Sequence, residues 1–472
     1  MNQPITPGLD LPARATVPPA FLDALTARFG ARASTNESVR LHHGRDESSY
    51  LPMPPDVVVF AESTDDVVAV MQLCRQYRVP LIPFGGGTSL EGALLSLTGG
   101  VSLDMTGMNR IVRIDANDLT ATVQPGVTRK QLNAHISDTG LFFPIDPGAD
   151  ATLGGMCSTR ASGTNAVRYG TMRENVVALT VVTAEAKVVR TARRAKKSAA
   201  GYDLTRLFVG SEGTLGVITE VTVRLYPQPE AISAAICNFE SVDAAVESTI
   251  EIIQSGIPVA RVELMDTMGV KAVNAYSKLT LKESPLLLFE FHGSPTGVRE
   301  QAELVQEITA SHGGTAFEWA ERPEDRTRLW TARHNAYFAT LQLRPGARSV
   351  TTDVCVPISR LAECIRETNA DLATSSIVTA ILGHVGDGNF HIQMLIDPES
   401  NAERDQAEAL NARLVARTLA MDGTCTGEHG VGLHKMPYLK DEHGAEGVEL
   451  MRKIKRALDP DNILNPHKVI DA

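Results

Sequence analysis

The chain reads as an α+β protein in two parts. Short apolar runs that end in glycine-rich turns dominate up to residue 230, a capped helix pattern lies among them, and past Tyr226-Pro227-Gln228-Pro229 helical patterns alternate with apolar runs. The first run is Val57–Phe60. Ser63, with Asp66 three residues later, signals a helix start, and the helical pattern extends to about Tyr77. Strand patterns follow at Val79–Phe84, Val101–Leu103, Ile111–Ile114, Thr120–Val123, Val176–Thr183 and Val217–Leu225. Beyond residue 230 the spacing predicts helices over Asp243–Gln254, Arg299–Ser311 and Leu361–Leu372, and strands at Leu286–Phe291, Ile377–Leu382 and Phe390–Ile396. A boundary near 230 divides the chain into an N-terminal arm (1–50), a first domain (51–230) and a second (231–472).

With 472 residues the chain is long enough for at least two domains. Its 45 basic and 56 acidic residues give a net charge of −11 without a basic stripe, which argues against a nucleic-acid partner. The cluster Arg193, Arg194, Lys196 and Lys197 reads as a solvated loop. No apolar run approaches the ~20 residues of a membrane span, and Met1–Pro19 lacks a basic region followed by an apolar one. The expectation is a cytoplasmic protein, with peripheral attachment at the inner membrane as an alternative. Cys74, Cys157, Cys237, Cys355, Cys364 and Cys425 form no C-x-x-C and read as reduced thiols.

No G-x-G-x-x-G, P-loop, H-E-x-x-H or G-x-S-x-G motif is present, which demotes nicotinamide Rossmann enzymes, P-loop nucleotidases, zincins and α/β-hydrolases. Three glycine-rich segments remain. Pro83-Phe84-Gly85-Gly86-Gly87-Thr88-Ser89 follows a strand pattern, so its amides can wrap an anionic group. The second runs from Asp146 through Thr152, Gly154 and Gly155 to Gly163-Thr164-Asn165 and Gly170, and the third is Gly210-Ser211-Glu212-Gly213-Thr214-Leu215-Gly216. Taken singly, such a segment is more often just a turn.

Two apolar runs flank Gly383-His384-Val385-Gly386-Asp387-Gly388-Asn389. A two-residue Asp387-Gly388 turn would set His384 directly opposite His391, with Cβ atoms ~5 Å apart, close enough to share one divalent ion. The same spacing also suits two exposed histidines beside a turn. Gly423-Thr424-Cys425-Thr426-Gly427-Glu428-His429-Gly430-Val431-Gly432 adds four glycines around an adjacent Glu and His, which points to backbone packed close to a ligand.

The order of these segments resembles the FAD domain of the vanillyl-alcohol oxidase and p-cresol methylhydroxylase (PCMH) superfamily. Trp330–Asn335, Thr352–Pro357, Gly383–His391, Gly423–Gly432 and Leu458–Pro466 are similar to the branch holding cytochrome-type D-lactate dehydrogenase, glycolate oxidase and D-2-hydroxyglutarate dehydrogenase, nearest to the first. The resemblance implies a PCMH-type FAD-binding domain over 51–230. Over 231–472 it implies an α+β cap domain with a metal site and a C-terminal helical segment returning to the flavin. It puts noncovalent FAD on Pro83, Gly85, Gly86, Gly87, Thr88, Ser89, Asp146, Thr152, Gly155, Gly163, Asn165, Gly213 and Ile218. Thr88 and Ser89 stand where some members carry a histidine that tethers the flavin. It implies a divalent metal, Zn or Mn, on His384, His391 and Glu428. His429 would be the catalytic base, Arg333 the grip on a substrate carboxylate, and Asn389 a further hydrogen bond to substrate. Without the resemblance, Arg333 reads as half of a helix-surface ion pair.

The implied reaction is oxidation of a small D-2-hydroxy acid, D-lactate foremost, with electrons leaving to a quinone, a cytochrome, another flavoprotein or oxygen. A homodimer is compatible. Glycolate or D-2-hydroxyglutarate are the alternative substrates. Thr351 stands where hydroxyglutarate enzymes carry a lysine for a second carboxylate, which disfavours a dicarboxylate unless Arg348 substitutes. A metal-dependent hydrolase would use the same His and Glu ligands but has no use for flavin-type glycine segments. A non-catalytic binding protein would leave the paired histidines unexplained.

Overall fold

The computed structural model describes residues 13–320 and 322–471. Its contacts divide the chain into two units. The first takes the chain up to Ser162, Gly170–Gln228 and everything from Glu428 onward; the second takes Gly163–Tyr169 and Pro229–Gly427. Two boundaries therefore differ from a single cut near 230, because Gly163–Tyr169 packs with the second unit and the C-terminal segment with the first. Residues 1–12 of the expected arm lie outside the described residues. The rest of that arm is built into the first unit: Phe21, Leu25 and Phe29 of the Pro19–Phe29 helix are buried with Val67, Val70 and Met71. Aromatic and leucine side chains at that helical spacing gain too much by burial to remain a free arm.

The first unit holds two principal sheets. One has the order Ala33–Ser34, Val57–Phe60, Val101–Asp104, Leu81–Phe84, with its last three strands parallel. The helix Thr64–Tyr77 connects Val57–Phe60 to Leu81–Phe84, and the Ser63 side chain caps it by accepting from Asp66 N. The other sheet is antiparallel, in the order Ile111–Asp115, Thr120–Val123, Val217–Arg224, Val176–Val182, Val188–Arg190. The C-terminal segment closes this unit. Leu464 bridges Leu81, Asn465 Nδ2 donates to Ala93 O and Glu212 O, and the buried Lys455 ammonium donates to Thr214 O and Leu464 O.

The second unit is one antiparallel sheet, in the order Thr315–Ala320, Ala231–Asn238, Leu286–Gly293, Val259–Met265, Val378–His384, Asn389–Ile396, Arg348–Thr351, with Val354–Cys355 also on Asn389–Ile396. Because side chains alternate along a strand, the sheet has two distinct faces. Against one pack the helices Pro295–Ser311 and Asn401–Ala420. The other carries Ile236, Met265, Leu288 and Leu382 under the helices Thr267–Ser277, Pro323–His334 and Ala336–Leu341. The polar residues described next belong to this second face, at the end where that apolar cluster stops. Among the described residues no helix is long and apolar enough to cross a membrane.

Candidate functional site

In the first unit, residues far apart in sequence meet at the end of the Leu81–Phe84 strand. A Cβ on Gly85 would stand 2.6 Å from Thr152 Oγ1, and Gly87 holds φ at +73°, so glycine is required for proximity at one position and for conformation at the other. Thr152 caps the Leu153–Thr159 helix, accepting from Gly155 N at 3.3 Å. Gly213, also at φ +73°, lies against the Pro83 ring. Pro83, Gly85, Thr152, Gly155 and Gly213 are thus brought together. Ser89 Oγ donates to Asp46 at 3.0 Å, and Asp146 is buried. The Ile218 side chain is part of the apolar core, and Ile218 pairs with Val181 in the antiparallel sheet. Gly163 and Asn165 fall in the second unit, where Asn165 Oδ1 accepts from Arg261 Nε at 3.0 Å. Glycine main chain packed this closely against hydroxyl and amide groups fits a cofactor whose phosphates need N–H donors.

The chain enters the first unit for the last time at Glu428. His429 Nδ1 bonds Glu91 Oε1 at 3.3 Å and His434 Nδ1 bonds Glu91 Oε2 at 2.8 Å. Burial pushes the Glu91 carboxyl up, but the Lys435 charge and the two histidine hydrogen bonds overcome it and hold the group well below the usual carboxylate range. An ionised carboxylate only accepts, so both histidines carry their proton on Nδ1, and neutral His429 then has its lone pair on Nε2. The glycines at 430 and 432 let the next turn approach Glu212, whose carboxylate accepts from Val431 N at 2.6 Å and Gly432 N at 2.9 Å. Burial outweighs those bonds and pushes Glu212 up to about 7.

In the second unit the hairpin differs from the two-residue turn expected from Asp387-Gly388. His384 pairs with Asn389, and Leu382 with His391, so four residues, Val385 to Gly388, make the loop. Asp387 N donates to His384 O, and Gly388 follows at φ +81°, where a Cβ would collide with Val356 O. The close approach of the neighbouring strand decides the register, and local turn preference yields to it. His384 and His391 become diagonal neighbours on one face, with ring centroids 5.4 Å apart. His384 Nδ1 bonds Glu263 Oε1 at 2.6 Å, and His391 Nδ1 bonds Thr352 O at 3.0 Å. Histidines that ligate metals typically donate their other ring N–H to a carboxylate or a carbonyl in this way, so the pair fits a divalent ion bound through Nε2.

Asn389, between them in register, turns its amide inward. Its Nδ2 donates to Asp353 Oδ1 and Val354 O, both at 2.8 Å, while its Oδ1 is buried without a hydrogen bond. Asp353 also accepts from Thr426 Oγ1 at 2.8 Å, and Gly427 lies against the Asn389 amide where a side chain would collide. Asp353 and Asn389 therefore fix the loop that delivers Glu428 and His429 in sequence. Arg333 Nη2 pairs with Glu263 Oε2 at 2.6 Å, and its Nε is buried without a hydrogen bond. Thr351 lies across from Gln393 on the histidine face, and the unbroken alternation of that strand puts exposed Arg348 on the other face. Arg348, the alternative cation for a second carboxylate, is thus on the face opposite to Thr351.

Residue-by-residue reading passed over Glu263 and Glu91. The signal for Glu263 was a lone acid inside the apolar strand Val-Ala-Arg-Val-Glu-Leu-Met, where a buried charge demands a partner. Glu91 stands two residues past the first glycine segment.

Residues 228–469 match the family described as FAD linked oxidases, C-terminal domain, and residues 55–192 match the FAD binding domain. The chain belongs to the FAD-linked oxidases. It is 52% identical to a probable mitochondrial D-lactate dehydrogenase of Danio rerio over 93% of this chain and 89% of that one. It is 46% identical to the mitochondrial D-lactate dehydrogenase [cytochrome] of Arabidopsis thaliana over 96% and 80%. A crystal structure of p-cresol methylhydroxylase covers 96% of this chain and is itself covered to 96%, with a TM-score of 0.80 at 19% identity, which shows the PCMH-type fold. The expected superfamily and α+β architecture are borne out, and the protein is an FAD-dependent oxidoreductase of the D-lactate dehydrogenase kind.

Proposed function

We propose that this oxidoreductase oxidises a small D-2-hydroxy acid, D-lactate foremost, using noncovalent FAD and one divalent metal, Zn or Mn. The observation that carries the reading is the sheet face on which His384 and His391 lie as neighbours with both Nδ1 atoms committed to acceptors. Glu428 completes the ligand set, and two His with one carboxylate leave coordination open for a substrate. When bound, FAD supplies the acceptor for the C2 hydride and the metal lowers the pKa of the substrate hydroxyl.

The chain's own residues do the rest. Arg333, pinned by Glu263 through Nη2, offers its remaining N–H groups to the substrate carboxylate and fixes the orientation of C2. His429, held by Glu91 in the Nδ1–H form, takes the hydroxyl proton on Nε2. The glycines at 85 to 87, with Thr88, Ser89, Asp146, Thr152, Gly155, Gly163, Asn165, Gly213 and Ile218, line the cofactor. Thr351 offers no cation to a second carboxylate, so D-lactate is favoured over D-2-hydroxyglutarate.

The electron acceptor is a quinone, a cytochrome or another flavoprotein. We assign the chain to the cytoplasm or the inner membrane surface, although the two relatives are named mitochondrial; cell fractionation decides between these. The test of the reading is an anaerobic absorbance screen of the purified protein with D-lactate, L-lactate, glycolate and D-2-hydroxyglutarate. Flavin bleaching should be fastest with D-lactate. Faster bleaching by the dicarboxylate would overturn the substrate assignment, and a colourless protein would return the metal-dependent hydrolase.

A further inference from the structure

Glu263 serves two of the residues given roles above. It is fully buried in the Val259–Met265 strand, where the two oxygens of one carboxylate hold groups from two other elements. Oε1 takes His384 Nδ1, at the end of the Val378–His384 strand, and Oε2 takes Arg333 Nη2, on the Pro323–His334 helix, each at 2.6 Å. A carboxylate accepts on both oxygens and donates on neither, so it can satisfy both partners at once. His384 cannot then reorient without leaving a buried acceptor unpaired, nor Arg333 without separating a buried ion pair, and both are costly.

We propose that Glu263 is a positioning residue that couples metal loading to capture of the substrate carboxylate. The inference rests on the reading above, in which His384 serves the metal and Arg333 the carboxylate. A ligand on either partner fixes the shared carboxylate and thereby pre-orients the other partner. By linkage the effect is reciprocal: metal tightens carboxylate binding by the same factor as the carboxylate tightens metal.

The test uses the FAD-loaded protein, with pyruvate as the probe carboxylate. Pyruvate affinity is read from the flavin difference spectrum, with manganese saturating and after chelation, and metal affinity is read by elemental analysis after equilibrium dialysis. In the parent protein manganese should tighten pyruvate about tenfold or more. Glu263→Gln has one acceptor oxygen and must abandon one partner. It should bind manganese roughly 10- to 100-fold more weakly, the usual size of an outer-shell loss, raise KM for D-lactate more than it lowers kcat, and bring the coupling factor near 1. Glu263→Asp keeps both acceptors and should recover part of the coupling, which keeps the test decisive if the Gln variant does not fold. A Gln variant with parental metal affinity and parental coupling would overturn the proposal. A parent protein that binds no metal would instead overturn the reading beneath it.

Discussion

Around the glycine segments of the first unit the approach to a ligand is made by backbone. Gly85 and Gly213 exist to bring main chain against Thr152 and Pro83, and Gly87 to turn the strand end. In the second unit the approach is made by polar side chains held on buried acceptors: His384 and Arg333 on Glu263, His391 on the Thr352 carbonyl, Asn389 on Asp353. The first strategy needs no partners but permits no side chain. The second tolerates bulk, but every group depends on another. Damage should therefore stay local in the first unit and spread in the second.

The sharpest way to test this contrast is to remove a histidine. His384→Ala or His391→Ala should lower turnover by about 1000-fold, several kcal/mol of transition-state stabilisation being ordinary for a metal, while the FAD spectrum is kept. Activity retained by a metal-free His391→Ala protein would exclude the metal from the reaction. Next, Arg333→Lys should lower kcat/KM for D-lactate by ~100-fold, since an ammonium fixes the carboxylate at one point and a displacement of ~1 Å is that expensive. Steady-state rates at saturating metal check it.

In the first unit, Gly85→Ala should displace the Thr152 hydroxyl from its helix cap, costing about 1 kcal/mol, and weaken FAD by roughly tenfold with manganese binding unchanged. Cofactor release on dilution measures the first effect and dialysis the second. If Gly85→Ala lowered metal affinity, the contrast between local and spreading damage would fail.

The smallest effect concerns Glu212. Its folded value, pushed up to about 7, exceeds an unfolded value near 4.5, so the native state binds the extra proton. Its contribution to stability is full below pH 4.5 and lost as pH rises through 7. Glu212→Gln should remove that loss and raise Tm at pH 8 relative to pH 5 by on the order of 5 °C compared with the parent, as read by calorimetry.

Much of the fold was legible. Thr120–Val123 and Leu361–Leu372 lie where the pattern put them, and the Ser63 cap is formed, because these elements are decided by local periodicity and hydrogen bonding. The hairpin at His384 was misread because its register is set by Val356, nearly 30 residues earlier, which no turn signal encodes. The glycine segments pointed to the cofactor through their order and their resemblance to a known FAD domain, since one such segment alone is more often a turn. Glu263 and Glu91 were silent for the opposite reason: an acid is common anywhere, and only its partners, far away in sequence, make it exceptional. Arg348 shows the same limit, since nearness in sequence placed it beside Thr351 while strand alternation turned it to the opposite face.

The closure of the first unit by its own tail also bears on how the molecule is made. Asn465 reaches back 372 residues to Ala93, and Leu464 covers the Leu81 strand. A ribosome delivers that strand long before its cover, so the edge of the parallel sheet stays open while the whole second unit is synthesised, and open edges recruit other strands. Chains stalled just after Gly427 should resist pulse proteolysis over residues 229–427 while 13–162 are still cut. The unit that comes first in sequence is thus the last to be finished, and its final residues serve as a latch that a truncated chain can never close.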